Sequence, residues 1–370
     1  MEMEVMASAL VLLNLGTPCS ADVKDVRAYL HEFLSDRRVL DINPVMRFLL
    51  LHCVILRKRP AESAAAYRKI WTERGSPLLF HGLDLADGVR RELGGDEIVE
   101  LAMRYQGPSI RDVLTNLHER GVEELTLFPL FPQYSSAAWG SGVEKFFREA
   151  RRLWKEPSIK VVPPYYTHPA FIEAFCGVAR PVLEDLQPDK VLMSFHGIPQ
   201  GHVRTVFDGQ PERELLGLDG AGGDHCLEKP DCCAEVCYAN RNCYSAHCYA
   251  TARALGAELE LAPDSWEVSF QSRLGRDPWL VPYTDFRIEE LPGEGVEKLA
   301  VLSPAFTADC LETLEEIGIR AEEDFRAAGG KELRLVPSLN SEPAWIRAIV
   351  RIISDFAHQD DTMRPGAVDG

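Results

Sequence analysis

The chain has 370 residues, 46% of them hydrophobic and 26% charged, and a formal net charge of −17. That composition fits a folded globular protein with room for two domains or one large α/β unit. So acidic a surface argues against nucleic acid as a partner, and it discourages adhesion to anionic lipid except where basic residues cluster.

The N-terminal MEMEVMASALVLLNLGTP opens on acids instead of a basic region, and Asn14 interrupts its apolar run, so it does not read as a secretory signal. No run of about 20 apolar residues is available to span a bilayer. These features place the chain in the cytoplasm, where clustered cysteines bind metal or do redox chemistry more often than they form disulfides.

Short apolar strands are predicted at Leu10–Leu13, Ile98–Met103, Leu125–Pro129, Lys160–Val162, Val191–Phe195, Glu267–Gln271, Leu299–Leu302 and Leu333–Val336. Helical spacing lies between them, as in Val23, Val26, Leu30 and Leu34, or Ile110, Val113, Leu114 and Leu117. The alternation predicts an α/β protein with parallel sheets flanked by helices. VLLNLGTP (Val11–Pro18) and VLMSFHGIP (Val191–Pro199) share a strand-then-glycine-loop shape, a faint repeat that suggests two similar halves dividing near residues 165–178. Ligands of open α/β sheets bind beyond the carboxyl ends of the strands, where both loops fall. Neither GxGxxG nor GxxxxGK followed by Ser or Thr occurs, so no dinucleotide or P-loop site is supported. Met46–Arg59, apolar with a basic end, reads either as a buried helix or as an apolar lip for a membrane surface or greasy ligand.

His196 follows a buried strand directly, and Gly197 beside it would let a ligand approach the backbone; the histidine is either structural or catalytic. In Ser303–Gly318, Asp309 is a plausible helix N-cap, and Glu312 and Glu316 fall on one helix face. That face is either a solvated acidic surface or a carboxylate path for a divalent cation or protons. Phe128–Gly142 and Ser269–Phe286 mix aromatics with small polar residues, as apolar pockets with a few polar anchors do. Gly223–Gly256 gathers Cys226, Cys232, Cys233, Cys237, Cys243 and Cys248, six of the ten cysteines. Four thiolates suit a [2Fe–2S] cluster or one zinc ion, but the run has no CxxC pair, and the adjacent Cys232 and Cys233 are poorly placed to ligate one cluster together. His225 and His247 are outside candidates.

LLNLGTP (12–18), RGSPL (74–78), MRYQGPSI (103–110), LFPLFPQYSSAAWGSG (127–142), SFHGIP (194–199), QSRLGRDPWLVPYTD (271–285), SPAFTADCLETLEEI (303–317) and PSLNSEPAWI (337–346) together resemble the ferrochelatase family. Its enzymes insert ferrous iron into a porphyrin to make haem. The resemblance implies two Rossmann-like halves with a porphyrin cleft between them: residues 7–172, with an apolar lip at about 31–60, and residues 173–356, with a cysteine-rich insert at about 217–246. It implies His196 as proton acceptor and iron contact, Glu312 as partner in iron delivery or proton removal, and Glu316 behind it on the Fe2+ path. Which of His196 and Glu312 takes the porphyrin protons stays open.

The resemblance also places Leu15 against the ring, where relatives using coproporphyrin typically have tyrosine, so protoporphyrin IX is the expected substrate. Arg104, Tyr105, Gln133, Tyr134, Ser135 and Trp279 fall in matching motifs as cleft or propionate residues. HCYATARALG (247–256) matches an ordinary helix of the family, which leaves Cys226, Cys232, Cys233, Cys237 and Cys243 in extra sequence. Some members bind a [2Fe–2S] cluster through such an insert, so four of these five are the expected ligands. Cys310 stands where animal members have histidine, and Arg320 where several members continue an acidic ladder. The competing readings are a chelatase for coproporphyrin or another tetrapyrrole, and a non-catalytic haem or iron–sulfur carrier. A peripheral contact with the inner membrane is expected through the lip. The sequence is silent on oligomeric state, iron donor and haem acceptor.

Overall fold

The computed structural model describes residues 7–208, 231–273 and 277–362. Eight strands are present: β1 (Ala7–Gly16), β2 (Ile98–Tyr105), β3 (Val122–Pro129), β4 (Ser158–Val161), β5 (Lys190–His196), β6 (Trp266–Gln271), β7 (Lys298–Leu302) and β8 (Glu332–Leu335). Each overlaps one of the predicted strands. They form two four-stranded sheets, ordered β2-β1-β3-β4 and β6-β5-β7-β8, and every pairing is parallel. The two orders are the same, so β1 and β5 occupy equivalent places. The repeated loops at Val11–Pro18 and Val191–Pro199 leave equivalent strands, which gives the faint internal repeat its structural basis.

The described residues divide into two compact units. The first falls within Met1–Leu130, Ala137–Ala174 and Asn340–Gly370, and the second within Phe131–Ser136 and Phe175–Leu339. In the first, Ala9, Val11 and Leu13 of β1 pack against Ile110, Val113, Leu114 and Leu117 of the helix Ile110–Glu119 and against Phe146 and Ala150 of the helix Ser141–Ala150. Leu10 and Leu12, which alternate with them, are buried too. A strand covered on both faces needs an unbroken apolar run, which is why β1 shows none of the alternation of a half-exposed strand. In the second unit Leu192, Leu299 and Val301 pack with Ile288, Leu291, Ile317 and Phe325.

The Met46–Arg59 segment opens outward. It runs from a short helix (Pro44–Leu49) through a π-helical turn (Leu50–Ile55) into the helix Leu56–Ile70. Leu51, Ile55 and Leu56 are buried, while Val45, Met46, Phe48, Leu49, Leu50 and Val54 are exposed. His52 and Leu56 of this segment join Lys24, Arg27, His31 and Glu32 in lining an open pocket of about 420 Å³. Among the described residues no helix is long and apolar enough to cross a membrane.

Candidate functional site

β5 carries His196 to the carboxyl edge of the second sheet, where it pairs with Gln271 of β6. His196 Nδ1 lies 2.6 Å from the Gly197 carbonyl oxygen. A carbonyl can only accept, so Nδ1 carries a proton, and in the neutral imidazole Nε2 keeps its lone pair. Phe306 and Trp279 flank the ring, with centroids at 6.2 and 6.5 Å. Gly197 is required sterically. A Cβ there would sit 2.9 Å from the Ser272 carbonyl oxygen and 3.0 Å from that of Gln271. The bare glycine lets its amide reach the Gln271 carbonyl at 2.6 Å and seal the histidine loop to the end of β6.

Gln271 is buried, and its amide is oriented from two sides. Ser194 Oγ donates to Oε1 at 2.9 Å, and Nε2 donates to the Glu312 carbonyl at 2.8 Å. Ser194 is further bonded to Thr284, and Thr284 to Ser269, each at 2.8 Å. Such a satisfied chain of buried hydroxyls fixes a site that loops alone would leave loose.

Glu312 lies on the short helix Leu311–Leu314. Its N-cap is Cys310, not Asp309. Asp309 Oδ1 is occupied elsewhere, accepting from Thr313 Oγ1 at 3.1 Å and from the Ser338 amide at 3.2 Å. The helix does not continue as the four-residue spacing predicted. It passes into a π-helical stretch, Glu316–Ala321, so Glu312 and Glu316 do not lie on one regular α-helical face. Glu316 instead takes a hydrogen bond from Ser272 Oγ at 2.5 Å. Burial, and then the charge of Glu312, push its carboxyl up to about 7, against the opposing hydrogen bond from Ser272. Ser272 holds φ +59°, a left-handed conformation that costs a non-glycine residue on the order of 1–3 kcal/mol. Arg320 bonds Glu315 at 2.8 Å and comes within 3.8 Å of Glu316. Cys310 is buried, and burial followed by the Glu312 charge pushes its thiol far above the ordinary range.

The second unit therefore brings His196, Trp279, Glu312 and Glu316 to neighbouring strand ends. Gln133, Tyr134 and Ser135 belong to that unit too. Gln133 is buried and donates to Thr251 Oγ1 at 3.0 Å, and the Tyr134 amide donates to His247 Nδ1 at 3.1 Å. Leu15 lies at the end of β1 in the first unit, half-buried. The next residue, Gly16, has φ +114°, and a Cβ there would strike the Tyr105 carbonyl oxygen at 2.0 Å. Arg104 and Tyr105, of β2, point their polar groups inward. Arg104 pairs with Asp36 at 2.6 Å and donates to Ser141 at 2.7 Å, while the Tyr105 hydroxyl donates to Asp36 at 2.9 Å. Both are buried, and these bonds tie the end of β2 to Asp36 and Ser141. Gln271, Ser272 and Phe306 were not singled out from the sequence. Gln271 and Ser272 fall in Ser269–Phe286, a stretch already marked as pocket-forming, while Phe306 falls in Ser303–Gly318, marked for its acids alone.

The cysteine-rich stretch is described from residue 231 onward, so Cys226 and His225 lie outside the described residues. Cys232 and Cys233 sulfurs are 3.7 Å apart, and Cys233 Sγ is 3.2 Å from Ser245 Oγ. A hydrogen bond with Cys243, and then burial, raise the Cys233 thiol. Cys243 is the buried N-cap residue of the helix Tyr244–Glu258, while Cys237 is exposed. Among the described residues no three His, Cys, Asp or Glu side chains are grouped to hold a metal ion. The described cysteines thus supply a partial sulfur set, which a cluster could use only with further ligands or a rearranged turn. His247 is no ligand. Its Nδ1 accepts from Tyr134, its Nε2 is 2.7 Å from the Arg241 carbonyl oxygen, and burial pushes it down to about 4.

The family model for ferrochelatase matches residues 7–356. A protein of Legionella pneumophila (strain Lens) named ferrochelatase is 41% identical over 350 residues, covering 95% of this chain and 99% of that protein. A Pseudomonas fluorescens protein of the same name is 46% identical over 344 residues, with 92% and 96% covered. In fold, the chain is similar to SirB from Bacillus subtilis, solved with Fe3+, at a TM-score of 0.51 and 12% identity over 97% of this chain and 98% of that one. On the match to the family model and the identity to these relatives, the chain belongs to the ferrochelatase family.

Proposed function

We propose that the protein is a ferrochelatase that inserts Fe2+ into protoporphyrin IX to form protohaem. A porphyrin carries two inner N–H groups, and both protons must leave as the metal dication enters, so the exchange is neutral overall: one Fe2+ in, two H+ out. The observation that carries the reading is the hydrogen bond from His196 Nδ1 to the Gly197 carbonyl. With Nδ1 committed to the Gly197 carbonyl, Nε2 has a free lone pair at the end of β5, able to accept a pyrrole proton or touch the incoming iron. Glu312 stands on the short helix that follows β7, held through Gln271, and passes iron or takes the second proton. Glu316, with its carboxyl at about 7, is poised to hold a proton near neutral pH and release it to solvent. Imidazole and carboxylate suit a cation that must be let go; a thiolate cage would retain it. The test is anaerobic conversion of protoporphyrin IX and Fe2+ to haem, followed by absorbance. A pure, folded protein that binds porphyrin and never metallates it would be a carrier instead.

The aliphatic Leu15 favours protoporphyrin over coproporphyrin, and turnover on the two substrates compares them directly. Arg104 and Tyr105 act from behind, by fixing the end of β2 against Asp36 and Ser141.

The cysteine insert is proposed to hold a [2Fe–2S] cluster through four of Cys226, Cys232, Cys233, Cys237 and Cys243. What supports this is the density of cysteine in the stretch and its likeness to the inserts of family members that bind such a cluster. When bound, the cluster would cross-link a turn that lacks an apolar core and give it sensitivity to oxidants. Sulfur-to-iron absorption bands bleached by dithionite test it; a colourless active protein refutes it. The exposed lip carries Arg47, Arg57, Lys58 and Arg59, with no acid between Ile42 and Ala61, which supports peripheral contact with an anionic membrane. Flotation with anionic and neutral vesicles tests that contact.

A further inference from the structure

The cysteine turn and the proposed catalytic histidine share one hydrogen bond. Tyr244 follows Cys243 directly and opens the helix Tyr244–Glu258. Its hydroxyl donates to the His196 carbonyl oxygen at 2.8 Å. This bond fills a specific vacancy in the sheet. The β5–β7 ladder ends at Met193↔Leu302, three residues before His196, while on the other side the Gly197 amide closes onto Gln271. In a parallel strand successive peptide groups alternate sides, so the His196 carbonyl faces the side from which β7 has already departed. Tyr244 supplies the missing donor to a carbonyl next to the reacting ring.

The near side of Tyr244 is built from sulfur. Cys243 hydrogen-bonds Cys233, whose thiol contacts Ser245 at 3.2 Å and whose carbonyl takes a bond from Arg253 at 2.9 Å. Cys248, one helical turn on, is buried on the same helix. Tyr244 is buried, so its ring has little room to move without moving its neighbours. A displacement of the Cys233 and Cys243 sulfurs therefore shifts the first turn of the helix, the Tyr244 hydroxyl, and the backbone that carries His196.

We propose that Tyr244 is a positioning residue for metal insertion, and the link by which the state of the cysteine turn reaches His196. The proposal rests on the ferrochelatase reading for its kinetic consequence, but not for the physical coupling.

The experiment uses the full chain with 15N-labelled histidine, His196 being assigned by its loss in His196→Ala. Two variants are compared with wild type, Tyr244→Phe and Cys233→Ala, each checked for an intact fold by circular dichroism and melting. Expected for Tyr244→Phe are a roughly tenfold fall in kcat, as for a modest misplacement of a reacting group, an unchanged porphyrin KM, a displaced kcat–pH profile and a moved His196 ring resonance. Cys233→Ala should move that resonance in the wild-type background and not when Tyr244 is already Phe. A purely space-filling tyrosine would change melting but neither the pH profile nor the resonance, and that result overturns the proposal. So does a Cys233→Ala shift that persists undiminished without the hydroxyl. If Tyr244→Phe fails to fold, the wild-type response to Cys233→Ala decides: an unmoved His196 resonance refutes the link. If wild type inserts no metal, the ferrochelatase reading fails while the resonance still tests the coupling.

Discussion

The side chain of Gln271 donates to the carbonyl of Glu312 at 2.8 Å, and the Gln271 backbone carbonyl accepts the amide next to His196 at 2.6 Å. One buried residue at the end of β6 thus holds both groups assigned to the chemistry. Glu312 has only four residues of helix of its own, so its position depends on this tie.

Gln271→Ala should therefore lower kcat far more than it raises porphyrin KM. It leaves the Glu312 carbonyl and the Ser194 hydroxyl short of a partner, at a cost of about 1–3 kcal/mol. Urea denaturation alongside steady-state kinetics checks both. A variant with normal kcat and reduced stability alone would reduce Gln271 to a packing role.

His196→Ala should abolish metal insertion and leave the melting temperature nearly unchanged. The ring is only half-buried and bonds to its own neighbour Gly197, so little of the fold depends on it. Thermal melting and haem formation measured on the same preparation separate the two effects.

Glu316 sets a pH dependence whose sign follows from its carboxyl being raised from 4.5 to about 7. Ionising it is harder in the folded chain than in the unfolded one. Its contribution to stability is whole below about 4.5 and is lost as pH rises through about 7. Glu316→Gln should remove that loss, so the variant gains in melting temperature relative to wild type at pH 8 and not at pH 4. An equal difference at both values would show that the carboxyl ionises at its ordinary pH.

Arg104→Ala removes one partner of a buried ion pair and leaves Asp36 with Ser141, Tyr105 and the Arg38 amide. Burial raises the Asp36 carboxyl, but the Ser141 and Arg38 hydrogen bonds and the Arg104 charge outweigh it and hold it low. The loss should cost about 3–5 kcal/mol in denaturant unfolding. Porphyrin KM should stay unchanged in the protein that remains folded. A large KM rise at unchanged stability would instead make Arg104 a substrate contact.

The strands were legible because burial on both faces writes them as continuous apolar runs, and His196 was legible because it ends one of them. The repeated order of the two sheets was foreshadowed by two short loops. The Glu312 segment was read as one helix because four-residue spacing fits an α-helix. The π-helical stretch after Glu315 breaks that spacing, and Glu316 at its start takes a hydrogen bond from Ser272, 44 residues away in sequence. The bonds of Arg104 and Tyr105 to Asp36 were not legible because that partner lies 68 and 69 residues away in sequence. Gln271 carried no signal of its own, since its role depends on the register that sets it opposite His196. The choice among the cysteines stays with Cys226, outside the described residues.

The most direct measurement is anaerobic single-turnover insertion of Fe2+ into bound protoporphyrin IX, followed by loss of porphyrin fluorescence, in wild type and Glu312→Gln. The carboxylate should matter to the insertion step and little to porphyrin binding. Insertion should slow by roughly 100-fold or more, the ordinary loss for a removed acid–base group, while the porphyrin Kd stays within about twofold. A folded Glu312→Gln protein that inserts iron at the wild-type rate, or one that loses porphyrin affinity instead, would contradict the assignment of chelation to His196 and Glu312.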